Sequence, residues 1–243
     1  MKENFFIKEY RGSIFLTQEI PSESNLIKEL AELLNIKNPT IVEKTPKDTN
    51  GADISSLKEW NFISSSNQFQ ISFQSQKIDF EQRLDVSYSE KSLSSFCELC
   101  VSVFKKILDY KPQAIIRLAI APTLKYNGDF EILVSKINSF FSKNDFLGCR
   151  NEKLDFSQVY RHVEVIGNKR VKINYFARFF INNNIQIEGG KLNLYDEILL
   201  NFDINTFVGN KYVFTNEDIK DFFMKSSNFS SRFIDYFFAD KNE

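Results

Sequence analysis

Between Gln158 and Phe207 the chain alternates apolar and polar positions more regularly than anywhere else. The odd positions Val171, Ile173, Tyr175, Ala177, Phe179 and Ile181 are apolar or amphipathic. The even positions Arg170, Lys172, Asn174, Phe176, Arg178, Phe180 and Asn182 are largely polar or basic. Period two over such a stretch describes a strand with one buried face. Upstream, Val159, Val163 and Val165 alternate with Tyr160, His162 and Glu164. Downstream, Leu192, Leu194, Ile198, Leu200, Phe202 and Ile204 alternate with Asn193, Tyr195, Glu197, Asn201, Asp203 and Asn205. If the valines share the buried face, Val165 sits opposite Val171 and Val163 opposite Ile173. The turn is then the three residues Gly167, Asn168 and Lys169. The same register pairs Glu164 with Lys172 and Tyr160 with Phe176, and turns His162 outward opposite Asn174. Asp196 falls in the buried phase; a bulge at Tyr195-Asp196 would turn it outward, and the alternative is a buried carboxylate with a basic partner.

Earlier in the chain, Phe5–Tyr10 and Ser13–Ile20 read as two short strands joined at Arg11-Gly12. Pro21 and Ser22 open a helix with Leu26, Ile27, Leu30, Leu33 and Leu34 on one stripe. Asn38-Pro39 ends it before a short strand at Thr40–Val42, and Lys44–Ser56 reads as a long, mobile loop. Phe69–Gln74 and Ile78–Val86 form a second strand pair. The serine-x-x-glutamate pair Ser87 and Glu90 then caps a helix carrying Leu93, Cys97, Cys100, Phe104, Ile107 and Leu108. Ile115–Ile120 is a buried strand, Asn127-Gly128 a turn, and Asp129–Phe141 a helix. Thr215 and Asp218 cap a last helix carrying Ile219, Phe222, Phe223, Phe233, Ile234 and Phe237, with a break expected in its serine-rich middle, Ser226–Ser231.

Strand pairs followed by helices occur three times, at spacings too irregular for a repeat array. Together the elements predict an α+β fold, mainly antiparallel sheet with helices packed on one face. Two sheet-bearing lobes, 1–145 and 146–243, share one compact unit.

Composition narrows the function. Of 243 residues 26 are Phe, which suits core filling, and the formal net charge is −1, so no global field favours nucleic acid or an anionic membrane. No apolar run approaches the ~20 residues of a bilayer span. Lys2, Glu3, Lys8 and Glu9 interrupt any secretory leader, and three cysteines without framework spacing suit a reducing compartment. The expected location is cytoplasmic.

Enzyme chemistry finds little to stand on. The single histidine, His162, has no nucleophile beside it, and neither a nucleophile elbow nor a glycine-rich phosphate loop occurs. Cys97 and Cys100 have redox spacing but lie about three turns into their helix on its apolar stripe. With Cys149 and His162 they lack a second tight ligand pair for zinc, so core packing is their expected role. Asp79, Glu81 and Asp85 would have to converge to hold Mg²⁺, and their alternation places them on a solvated strand face. No metal or cofactor is expected.

The order of elements also carries a resemblance. The helix after Ile78-Asp79-Phe80, the strand Leu199–Ile204 and the Phe-rich last helix resemble a sporadically distributed bacterial family of similar length with no assigned activity. The family's late strand reads L-D-x-D, and Asn201 here replaces its first Asp. The resemblance implies an α+β fold and a bacterial mobile-element or defence setting, and no catalytic residue carries over.

The surface singled out for function is the outward face holding Tyr160, Arg170, Lys172, Phe176, Arg178 and Phe180. Aromatics set among arginines have the composition of protein interfaces. The expectation is a non-enzymatic protein that binds a protein partner or a second copy of itself. The alternatives are a stacking platform for single-stranded nucleic acid and an Mg²⁺-dependent nucleic-acid or nucleotide enzyme using Asp79.

Overall fold

A computed structural model describes residues 4–45, 59–141, 155–188 and 191–238. The described residues form one nine-stranded, wholly antiparallel sheet with four helices. The strands are β1 (Phe5–Leu16), β2 (Thr40–Lys44), β3 (Glu59–Ile63), β4 (Phe69–Gln74), β5 (Lys77–Ser87), β6 (Ile115–Tyr126), β7 (Asp155–Ile166), β8 (Lys169–Glu188) and β9 (Lys191–Thr206). The helices are α1 (Ser24–Leu33), α2 (Glu90–Tyr110), α3 (Phe130–Phe141) and α4 (Asn216–Phe238). Across the sheet the order is β2-β3-β4-β5-β1-β6-β9-β8-β7. The α+β class and its antiparallel sheet are as the alternation predicts, and the sheet runs unbroken through both stretches, 1–145 and 146–243.

The order contains a repetition that the sequence spacing hides. Strand β1, helix α1, a four-strand meander back to β1, and α2 form one unit. Strand β6, helix α3, a three-strand meander back to β6, and α4 form the second. The first strands of the two units, β1 and β6, pair antiparallel and join the halves.

Helices α2 and α4 pack side by side over this joint, with α1 against α2. Phenylalanine fills the layer between: Phe96 stacks on Phe80, Phe104 meets Phe223, and Phe179 meets Phe237 with 4.8 Å between ring centroids. Each such ring removes enough apolar area from water to stabilise the fold by roughly 1.5–3 kcal/mol. The core is continuous from Trp60 and Phe73 in the first unit to Phe233 and Phe237 in the second.

Several boundaries differ from expectation for identifiable reasons. Arg11-Gly12 is no turn; it lies in the middle of β1. A Cβ on Gly12 would come within 2.6 Å of Cys100 Sγ and 3.2 Å of the Phe223 ring. This glycine therefore serves the close approach of both helices. A register shift between Ile7 and Glu9 changes the phase of β1, so Phe5 and Ile7, then Tyr10, Ile14 and Leu16, all face the core. Strand β6 continues through Pro122, and its ladder to β9 skips Ala121 and Pro122, where proline offers no N–H. Strand β3, for which the alternation predicts no element, buries Trp60 and Phe62. The cap of α2 is Ser89 with Ser92 at the third helical position, not Ser87 with Glu90, because β5 runs on to Ser87. The last helix does not break at its serines: Ser226, Ser227, Ser230 and Ser231 are buried, and the Ser231 hydroxyl lies 2.8 Å from that of Tyr88. Small side chains there let α4 sit close to its neighbours. Residues 46–56 of the expected loop, and Cys149, lie outside the described residues.

Cys97 and Cys100 are buried on the α2 stripe with free thiols. Burial pushes the Cys97 thiol up to about 12, with the nearby Glu98 charge adding to the effect.

The crossing at Gly12 makes a direct prediction. Gly12→Ala overpacks the joint and lowers the unfolding free energy by about 1–3 kcal/mol in urea denaturation. In a Cys100→Ala background the same substitution costs much less, because the sulfur is the nearest obstacle. Strict additivity of the two substitutions would show that the contact does not limit packing.

Candidate functional site

The β7–β8 hairpin decides which side chains reach solvent, and its turn decides the hairpin. The observed loop has two residues, Gly167 and Asn168, closed by Ile166 opposite Lys169. Gly167 takes φ +59°, the left-handed first position that marks a type II′ turn. The tip is anchored to the start of α4. The Gly167 N–H donates to Asp221 at 2.8 Å, and Lys169 Nζ donates to Asp218 at 2.6 Å. Asp218 is itself buried and accepts from the Thr215 N–H and hydroxyl, the expected helix cap. Burial alone would raise the Asp218 carboxyl, but the bonds from Lys169 and Thr215 outweigh it and hold the group below its ordinary value.

This turn overturns the register expected for the pair. Val165 lies opposite Arg170, Val163 opposite Lys172, and Val159 opposite Phe176. The valines therefore stand on the outer face, away from α2 and α4, and are 52, 40 and 48% exposed. Burial did not claim them because β7 is the last strand of the sheet. Glu164 pairs with Val171 instead of Lys172, Tyr160 with Tyr175 instead of Phe176, and His162 with Ile173 instead of Asn174. All three lie on the helix side of the sheet. The Tyr195-Asp196 bulge is also absent: the β8–β9 ladder runs unbroken through Asn184↔Tyr195 and Asn183↔Asp196.

Of the six residues singled out, the structure gathers Arg170, Lys172, Phe176, Arg178 and Phe180 on the outer face and puts Tyr160 on the opposite one. It adds Val159, Arg161, Val163, Val165 and Phe207, which alternation alone missed. Phase along β7 depends on the turn length, and only Gly167's suitability for a two-residue II′ turn signalled it.

The outer face is assembled from cross-strand rows. The Arg178 guanidinium lies 5.1 Å from the Phe180 ring centre, and that of Arg161 lies 4.7 Å from the Phe207 ring. Arg161 Nε donates to Asn174, Asn174 to Asn205, and Asn205 to Asp203, so one chain of hydrogen bonds ties β7, β8 and β9 together. These bonds hold the arginine in place with its flat face over an aromatic ring.

The β1–β5 side of the same face is electrically closed. Glu81 lies 4.0 Å from Arg11 and 3.7 Å from Arg83, and Asp79 meets Lys77 at 2.7 Å and the Ser13 hydroxyl. Glu197 is held by Lys8 and, at 3.3 Å, by Lys125. Burial tends to raise the Glu197 carboxyl, yet the two lysines bring it below its ordinary value. Asp79 and Glu81 thus sit among cations and a hydroxyl, and no group of three His, Cys, Asp or Glu residues among the described residues could hold a metal ion. No described helix is long and apolar enough to cross a membrane.

Comparison with known proteins finds no family model that matches the chain and no curated protein that matches it.

The two depressed carboxyls set an acid limb of stability. Unfolded, Asp218 and Glu197 titrate near 3.8 and 4.5; folded, both titrate lower. Their contribution is complete above those values and is lost as pH falls through the folded ones. Urea denaturation should show stability declining below about pH 4. Asp218→Asn should be less stable than the wild type at pH 7, and the gap should close at pH 2. An equal gap at both pH values would assign the loss to packing instead of charge.

Proposed function

We propose that this chain is a non-catalytic binding protein whose ligand is an extended segment of a protein partner, added as a further strand to the free edge of β7. One observation carries the reading: three β-branched side chains of an edge strand stand in solvent beside Phe176 and the arginine–aromatic pairs. An antiparallel ladder exchanges backbone bonds only at alternate residues. Counting from the closing pair Ile166–Lys169, the backbone N–H and C=O groups of Val165, Val163, Arg161 and Val159 point away from β8. Lys225 Nζ takes the Val165 carbonyl. The remaining three residues offer groups that no described strand pairs, which is the arrangement used when a peptide extends a sheet.

The side chains specify the partner's chemistry. A strand laid along β7 would set its own alternate residues beside Val159 and Val163 on the outer face, where apolar groups bury well. Acidic residues at its end beside the Gly167 turn would meet Lys172 and Arg170, which lie opposite Val163 and Val165 and are exposed cations with no carboxylate partner among the described residues. The ion-paired β1–β5 side offers few unmatched cations to a phosphate backbone, which favours a protein over nucleic acid.

Selection of peptides from a displayed library against the full chain tests this. Winners should alternate apolar and other residues with acidic residues at one end, and should lose at least about tenfold in affinity, ~1.4 kcal/mol, on Val163→Glu. Leu33→Glu on α1 should leave binding unchanged. Winners indifferent to Val163 would refute strand addition at this edge. Short single-stranded DNA or RNA bound tightly at low salt, with steep salt dependence lost in Lys172→Glu/Arg178→Glu, would move the assignment to nucleic acid.

A further inference from the structure

The other face of the same strand pair bounds a cleft that the binding edge does not use. Tyr160, His162, Glu164 and Tyr175 form its sheet wall; Phe229, Arg232, Phe233 and Tyr236 of α4 form its helix wall, and the volume is about 750 Å³. Pockets of a few hundred to a thousand cubic ångströms suit small organic ligands.

We infer that this cleft is a binding site for a small planar aromatic anion, its ring stacked among the tyrosine and phenylalanine rings and its negative group on Arg232. Three features support the assignment. Aromatic rings stand on both walls: the Tyr175 and Phe229 rings pack at 4.3 Å between centroids, and Tyr160 and Tyr236 are 40% and 59% exposed. Arg232 has no carboxylate partner among the described residues, although it stands on the helix between Phe229 and Tyr236. Its neighbour Lys225, by contrast, is neutralised by Asp221 at 2.8 Å. An exposed guanidinium lining the same cleft as these rings favours an anion attached to a flat group over a bare anion.

The opposite wall adds direction. The Tyr175 hydroxyl donates to Glu164 Oε1 at 3.3 Å, and His162 Nε2 lies 4.0 Å from the same oxygen. Burial first, and then the Glu164 charge, raise the Tyr175 phenol, so it remains a donor through the physiological range. Glu164 is thereby held as an acceptor facing the aromatic walls. A ligand with its anion at one end and an N–H or O–H donor on its ring would satisfy Arg232 and Glu164 together. Mononucleotides and hydroxylated or amino-substituted aryl carboxylates share this chemistry.

Binding of 8-anilinonaphthalene-1-sulfonate to the full chain, followed by fluorescence, reads the site directly. Competition then compares adenosine, guanosine and uridine monophosphates with salicylate and indole-3-acetate, and with inorganic phosphate and adenosine as controls. We expect one saturable site, displaced by at least one ring-bearing anion and by neither control. The nucleotides and the aryl acids distinguish the two sources of ligand. Arg232→Ala and Tyr236→Ala, both at exposed positions, should each weaken the probe at least tenfold with the unfolding temperature unchanged. Val163→Glu should leave it unaffected, which separates this site from the β7 edge. Absence of saturable binding up to millimolar probe, displacement by phosphate alone, or wild-type affinity in both cleft variants would overturn the inference.

Discussion

The fold depends on how closely two helices can lie across the central strands. α2 and α4 meet over β1, and there the sheet presents Gly12, whose missing side chain is replaced by Cys100 from one helix and Phe223 from the other. A sheet this wide exposes a large apolar face, and two adjacent helices cover its centre only if they approach the backbone there. Phe80, Phe96, Phe104, Phe179 and Phe237 then spread the contact outward through ring packing. Much of the phenylalanine content is explained by this layer. The two cysteines belong to the same layer, and their raised thiols are a consequence of burial there.

The antiparallel joint of β1 with β6 places the two strand–helix–meander–helix units side by side, and the unequal meanders make the halves differ. The four-strand meander ends on a short edge, β2, whereas the three-strand meander ends on the twelve-residue β7. Charges follow the same division. On the β1–β5 side they neutralise one another, and beside β7 arginines lie over aromatic rings next to solvent-facing valines. Long edges with apolar side chains are associative unless guarded, and Arg161 and Lys225 are the guards in place on β7. Both functional readings therefore fall at this end of the sheet, one on each face of the same strand.

The hairpin at Gly167 shows how one local choice sets the site. A two-residue turn or a three-residue turn gives the same strands and opposite faces for every residue of β7. The two-residue turn is held by glycine's left-handed φ and by Asp218 and Asp221 of α4, which take the Lys169 ammonium and the Gly167 N–H. Those carboxylates lie some fifty positions further along the chain, where no reading of the hairpin alone would look.

Period-two alternation in Arg170–Asn182 determined by itself that β8 buries Val171, Ile173, Tyr175, Ala177 and Phe179 and presents Arg170, Lys172, Phe176, Arg178 and Phe180. An interior strand has a neighbour on each side, so its pattern is dictated by its own burial. Helical spacing likewise determined α1, α2 and α4, because one stripe of each must meet the sheet. Tertiary structure alone decided what has no local signature. It set the phase of an edge strand whose valines no core demands, the use of Gly12 for helix approach in place of a turn, and the continuity of α4 through serines that close packing requires. It also brought His162, Glu164 and Tyr160 around to face α4. Sequence pattern reports which residues a core must bury; at an edge, where burial makes no demand, a turn and its distant anchors choose the face.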